Sequence, residues 1–139
     1  METRQKVLFL CTGNSCRSQM AEGLLRSLAG DRYEVFSAGT QPSRVHPLTI
    51  TVMDEVDIDV RDHTSDPIDI YLYRGIDIVI TVCDNARELC PVFSGLTKQL
   101  HWSIQDPFRG WEPDRSHLIY YRQARDTLKK YIESFISAS

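Results

Sequence analysis

The sequence predicts an α/β fold in three layers, a four-stranded parallel sheet with helices on both faces. Two observations lead there. Apolar runs at 6–10, 33–38, 76–82 and 98–103 alternate with longer segments that read as helix. The chain, 139 residues, also suits one domain, 1–139, with a single sizeable core. Hydrophobic residues make up 42% and charged residues 25%, an ordinary balance for a soluble globular protein. No repeat, low-complexity run or linker-like stretch divides the chain.

The elements follow in order. Val7-Leu8-Phe9-Leu10 anchors a strand over 6–10, and a loop over 11–17 leads into a helix over 18–29. A strand over 33–38 comes next, then a loop at Pro42 to Pro47 and a helix over 47–56. A short helical piece spans 67–73. Ile-Asp-Ile-Val-Ile-Thr-Val, 76–82, reads as a buried strand, followed by a mobile segment over 84–96. A strand over 98–103 and a loop over 104–113, holding Pro107 and Pro113, lead to a helix over 115–135. On that helix Leu118, Tyr121, Ala124, Leu128, Ile132 and Phe135 keep the helical period and are expected in the core. Arg122, Arg125, Lys129 and Lys130 are expected on a solvated face.

The net charge of −3 argues against a general footprint for nucleic acid or an anionic membrane. Arg4 and Lys6 precede an apolar stretch that stops at Cys-Thr-Gly-Asn. That stretch is too short for a signal-peptide core or a membrane span, so a cytoplasmic protein is expected. Four cysteines in such a chain point to catalysis, redox chemistry or metal rather than a structural disulfide framework. The Cys-x4-Cys and Cys-x6-Cys spacings lack the two-residue zinc knuckle, which counts against zinc. The four histidines show no metal-ligand spacing.

The most specific stretch is Cys11-Thr-Gly-Asn-Ser-Cys-Arg-Ser18, directly after the first strand. Alone, Cys11 would read as buried filler, Gly13-Asn14 as a turn and Arg17 as a surface charge. Together they have the build of a thiolate that attacks a bound tetrahedral oxyanion. The strand delivers the Cys11 sulfur to one point. Gly13 and Asn14 let the backbone curl, so that amide N–H groups of Thr12, Gly13, Asn14, Ser15, Cys16, Arg17 and Ser18 can face an anion. The following helix favours negative charge at its N-terminus, and Arg17 offers a planar fork for two oxygens. The same field is expected to depress the Cys11 pKa. No Gly-Lys-Ser/Thr closes the loop, so it is not a nucleotide P-loop. Cys83 ends the third strand and Cys90 follows in Cys-Asp-Asn-Ala-Arg-Glu-Leu-Cys-Pro91. In a parallel sheet Cys11 and Cys83 emerge at the same carboxyl edge, where open α/β sheets bind ligands.

With these residues assembled, the chain resembles the thioredoxin-coupled arsenate reductases, the branch related to low-molecular-weight protein tyrosine phosphatases. The matching pieces are Cys11 to Gly23, Ser37-Ala-Gly39, Asp57-Ile-Asp59, His63-Thr-Ser-Asp66, Val82-Cys83, Cys90-Pro91, His101-Trp102, Asp106-Pro107 and Arg125-Asp126. They run in order along nearly the whole chain. The loop is shared with the phosphatases; the Cys83 and Cys90 pair is not.

The resemblance implies a low-molecular-weight tyrosine phosphatase-like fold and reduction of arsenate to arsenite, an arsenic detoxification. Cys11 attacks arsenic, Cys83 attacks the Cys11 adduct, and Cys90 then attacks Cys83. Thioredoxin reduces the resulting disulfide, with glutaredoxin or another thiol as the open alternative. Arg17 holds oxygens and Asp106 is the general acid. Phosphate and sulfate are competing oxyanions. No cofactor is required by this mechanism, and a monomer is expected. The family's potassium ligands correspond to Asn14, Glu22, Ser37 and Asp66, with a metal-free polar network as the other reading. Asn14 is expected to brace the loop and Ser18 to donate to Cys11. Cys16 is either a protective partner for Cys11 or a small buried loop residue. His63 and His101 match family positions without a required role.

Three departures stand out. Gln105 replaces a second acid, Phe108 follows Pro107 where phosphatases place an aromatic, and 92–100 is poor in proline. The alternative function is therefore hydrolysis of phosphomonoesters by a tyrosine phosphatase. A non-enzymatic thiol sensor is a third class, disfavoured by Arg17 and Asp106. A helical 83–90 would hold the two Cα atoms about 10 Å apart. A disulfide needs roughly 4.4–6.8 Å. Segment 84–92 is therefore expected to unwind on oxidation.

Overall fold

In the computed structural model, which describes residues 4–93 and 97–138, four parallel strands form one sheet in the order β2-β1-β3-β4. The strands are β1 (Gln5–Cys11), β2 (Tyr33–Gly39), β3 (Ile78–Thr81) and β4 (Lys98–His101). The helices are α1 (Arg17–Ala29), α2 (Pro47–Asp54), α3 (Asp84–Leu89) and α4 (Leu118–Ala138). The two central strands are buried along both faces, which is why 7–10 and 78–81 read as continuous apolar runs.

Alternate residues of each strand serve opposite faces. Phe9 meets Trp102 at 5.8 Å between ring centroids, and Trp102 stacks on Tyr131 of α4. Tyr33 reaches Phe135 on the same face. Three residues beyond Tyr33 on β2, Phe36 meets Tyr71 on the opposite face, where Ile68–Tyr71 forms a 3-10 turn. Leu118, Tyr121, Ala124, Leu128 and Ile132 of α4 are buried as their spacing predicts, and Phe135 packs at the core margin.

Several boundaries differ from the sequence expectations. The helix expected over 47–56 ends at Asp54, because Glu55 caps it and Asp57 takes a left-handed φ of 62°. The piece expected over 67–73 contracts to a 3-10 turn, and the strands expected over 76–82 and 98–103 contract to the stretches that pair with a neighbour. The last helix is preceded by a 3-10 turn, Arg115–His117, capped by Asp114, and runs on to Ala138. Arg122 and Arg125 do more than face solvent. Both grip Glu55 beyond α2, and Arg125 also donates to the Val52 carbonyl. These guanidiniums, Arg122 foremost, hold the Glu55 carboxyl down at about 2.

The segment expected to be mobile over 84–96 starts as a helix. Cys83 is its N-cap, with the sulfur 3.4 Å from the Ala86 amide nitrogen, and Ala86 is buried. The chain then continues without helix or strand from Cys90 to Phe93, while 94–96 lie outside the described residues.

Candidate active site

The registers of β1, β2 and β3 bring Cys11, Gly39 and the end of β3 to one edge of the sheet. Between Cys11 and Arg17 the backbone carbonyls are tied outward. The carbonyl of Cys11 accepts from Thr40 N–H, that of Thr12 from Gln41 and that of Gly13 from Ser43. Asn14 O accepts from the Gln19 side chain, and Ser15 O from His46 N–H and the Thr49 hydroxyl. In a trans peptide the N–H lies opposite the C=O. Outward carbonyls on 11–15 therefore turn the N–H groups of 12–16 into the loop, the geometry of an anion nest. Gly39 permits this closeness, since a Cβ there would sit 2.5 Å from Thr12 O and 3.0 Å from Asn14 N.

A directed chain of hydrogen bonds ends on the Cys11 sulfur. Asn14, in the left-handed region at φ 47°, donates one amide hydrogen to Ser18 Oγ at 2.7 Å and the other to Ser37 Oγ at 3.0 Å. Ser37 in turn donates to Glu22. With its oxygen already accepting from Asn14, Ser18 has its own hydrogen free for Cys11 Sγ, 2.8 Å away. The expectation of a depressed Cys11 pKa is corrected here. Burial pushes the thiol above its ordinary value, outweighing the pull of Ser18 and Arg17 in the other direction. Burial likewise pushes Cys16 up to about 11; its sulfur lies 3.7 Å from Tyr121 Oη.

The loop floors a cavity of about 240 Å³ lined by Cys11, Arg17, Ser43, Asp106, Phe108 and Trp111, among others. Arg17 leans to one wall, donating to Ile104 O at 3.1 Å and lying 3.5 Å from the Asp106 carboxylate. Asp106 Oδ1 accepts from Phe108 N–H, which fixes the turn after Asp106-Pro107. A second cavity shares Thr12, Arg17 and Asp106 with the first and adds Cys83, Asp84 and Asn85. Cys83 Sγ is 3.4 Å from Thr12 Oγ1. Cys11, Arg17, Asp106 and Cys83 are thus gathered at one edge. Cys90 is not in either lining; it sits beyond α3, half-buried, its sulfur accepting from Gln99 at 2.8 Å. All four thiols are unbonded.

The four residues matched to a potassium site are joined by hydrogen bonds, Asn14 to Ser37, Ser37 to Glu22 and the Asp66 backbone N–H to Asn14 Oδ1. Glu22 faces Ser37 and the Arg26 guanidinium. Asn14 Oδ1 accepts from the Asp66 backbone N–H, while the Asp66 carboxylate turns to Thr64 and Tyr71. Among the described residues no cluster of three His, Cys, Asp or Glu is gathered for a metal. His63 bridges Gln19 and Arg26 behind the loop, and His101 lies between Thr81 and Asp84.

The sequence reading passed over His46. It is fully buried, accepts from Leu48 N–H at Nδ1 and donates from Nε2 to Gly110 O. Its ring stacks on Trp111 and contacts Phe108 and Tyr121. The signal available was His46-Pro47, an N-cap position followed by proline at the first helical turn. Trp111 and Gln41 of the cavity wall carried no sequence signal that singled them out.

Comparison with known proteins follows the same lines. The sequence profile for low molecular weight phosphotyrosine protein phosphatase matches residues 6–138. An arsenate reductase of Staphylococcus xylosus is 41% identical over 133 residues, covering 95% of this chain and 96% of that one. A solved arsenate reductase in the phosphate binding state superposes with a TM-score of 0.77 at 37% identity, over 96% of this chain and 98% of that one. The thioredoxin-dependent arsenate reductase of Corynebacterium glutamicum gives a TM-score of 0.71 at 27% identity, over 99% of this chain but 65% of the other. From strand register to anion loop to these relatives, the chain belongs to the low molecular weight phosphotyrosine protein phosphatase family, within its arsenate reductase branch.

Proposed function

We propose that this chain, acting as a one-domain monomer in the cytoplasm, reduces arsenate to arsenite by a three-thiol relay and is regenerated by thioredoxin. One observation carries the reading: a second buried thiol, Cys83, stands at the wall of the oxyanion loop, with a third, Cys90, at the far end of the helix that Cys83 caps. The named relatives supply the substrate class and the reductant.

The inward N–H groups of 12–16 and the Arg17 fork hold the arsenate oxygens. Ser18 steadies the Cys11 sulfur as it loses its proton and attacks arsenic(V). Asp106, beside Arg17 at the cavity, protonates the departing oxygen, which leaves as water. The Cys83 thiolate then attacks the Cys11 sulfur. The S–As bond breaks, its electron pair stays on arsenic, and arsenite(III) leaves. The Cys11–Cys83 disulfide that remains is opened by Cys90, which attacks Cys83 and releases Cys11 as a thiolate. Thioredoxin supplies two electrons to the Cys83–Cys90 disulfide. No step requires a cofactor.

The second reading, hydrolysis of an aryl phosphate, draws on Phe108 and Trp111 at the cavity wall, where an aromatic leaving group would fit. The test is arsenate-dependent NADPH consumption with thioredoxin and thioredoxin reductase. Multiple turnover is expected from the parent and about one turnover from Cys90→Ser. Absence of arsenate turnover, with aryl phosphate hydrolysis that survives Cys90→Ser, would assign the chain to the hydrolases.

A further inference from the structure

Strand β4 faces the redox segment with two side chains two residues apart, and so on one side of the strand. His101 takes one end of the segment. Its Nε2 lies 3.0 Å from the carboxylate of Asp84, the first residue of α3, while its Nδ1 is 2.7 Å from Thr81 Oγ1. Gln99 takes the other end. Its Nε2 donates to the Cys90 sulfur at 2.8 Å. Cys83 is held at the first end by Thr12 and by the Ala86 N–H. Closing a Cys83–Cys90 bond across α3 must shorten a separation of about 10 Å to the disulfide range. With Asp84 and Cys83 both held, Cys90 is the end that travels.

We propose that Gln99 is the positioning residue of the resolving thiol: its amide parks the Cys90 sulfur on β4 while the loop cysteines react, stabilises that sulfur as a thiolate, and lets it go when Cys90 attacks Cys83. The assignment rests on the three-thiol relay. The exchange itself conserves electrons. The Cys90 thiolate forms the S–S bond to Cys83, the Cys11–Cys83 bond breaks, and the Cys11 thiolate departs. Burial pushes the Cys90 thiol up, and the Gln99 hydrogen bond pulls it back toward its ordinary value. Gln99 is an exposed side chain, so it can be replaced without opening the core.

The test compares the parent with Gln99→Met, of similar length without a donor, and Gln99→Lys, which restores an N–H donor. Alkylation of Cys90 by iodoacetamide is followed across pH by mass spectrometry of the reduced full chain. In Gln99→Met the midpoint of the Cys90 profile is expected to move to higher pH, with Gln99→Lys at or below the parent. Losing one hydrogen bond to a charged acceptor lowers the thiolate fraction, and the more basic sulfur recovers part of the rate. At neutral pH the net loss is roughly threefold. Better access alone would raise the rate without moving the midpoint. A Gln99→Met profile that overlays the parent overturns the assignment. Failure of the relay is separate: full turnover by Cys90→Ser would overturn the relay whatever the alkylation profiles.

Discussion

At the residue scale, the reactivity of Cys11 is a contest between burial and a single file of donors. The sequence pattern contains the donors, and so points to a depressed pKa. It does not contain the burial, which comes from the packed edge of the sheet and raises the pKa. Ser18 is the direct contact, and it can donate to sulfur because Asn14 satisfies its oxygen. Replacing Ser18 by Ala removes the donor and leaves an Asn14 N–H without its acceptor inside the protein. The Cys11 thiol is then expected to rise further, so that its alkylation profile moves to higher pH and its rate at pH 7 falls several-fold. Thermal stability should drop as well, by about 1–2 kcal/mol for the orphaned buried donor. An unmoved Cys11 profile in a folded Ser18→Ala protein would remove Ser18 from the mechanism.

At the element scale, α3 matters most. The stretch expected to be mobile is a helix over Asp84–Leu89, and the proposed relay requires that helix to open on oxidation. With free thiols, Cys83 caps the helix and Ala86 is buried beneath it. With a Cys83–Cys90 disulfide, six helical residues cannot remain between the bonded cysteines. Amide exchange over 84–89 is therefore expected to be slow in the reduced protein and fast after oxidation. The Cys90→Ser protein under the same oxidant should keep the reduced pattern. Equal exchange in oxidised and reduced parent would mean that the switch does not occur. The helix escaped sequence reading because Asp-Asn-Ala-Arg-Glu-Leu is short and buries only Ala86, too little for periodicity to register. Longer elements were legible for the opposite reason. The two central strands are buried on both faces, and α4 keeps its apolar stripe over many turns. The loop and its cysteines were legible because they follow one strand end in a fixed local order.

At the scale of the whole molecule, what sequence could not show is how distant segments are joined behind the site. His46 is the joint. Its backbone N–H holds Ser15 O, Nδ1 caps α2, Nε2 holds Gly110 in the loop bearing Asp106, and its ring rests against Tyr121 of α4. The cap at Nδ1 requires the neutral ring, because a protonated Nδ1 cannot accept from Leu48 N–H, and the bonds to Ser15 and Gly110 join segments far apart in the chain. Burial holds its pKa below the ordinary value of 6.5, with Arg44 and His117 adding to that direction. The unfolded chain therefore binds this proton at higher pH than the folded protein does. The stability from neutral His46 is fully present above pH 6.5, begins to fall as pH drops below it, and is lost through the lower folded pKa. His63, also lowered by burial, contributes a slope of the same sign, so the two must be separated by mutation. His46→Asn keeps a side chain that can cap α2 and loses the bond to Gly110 and the ring contacts. Urea midpoints should put it about 1–3 kcal/mol below the parent at pH 8. That gap should narrow on moving to pH 5.5, because the unfolded parent gains a proton at His46 that the folded parent resists, and the variant has no such group to titrate. A gap that stays constant between the two pH values would mean that His46 braces the site by packing alone, and that its titration plays no part in holding the Asp106 loop against the anion loop.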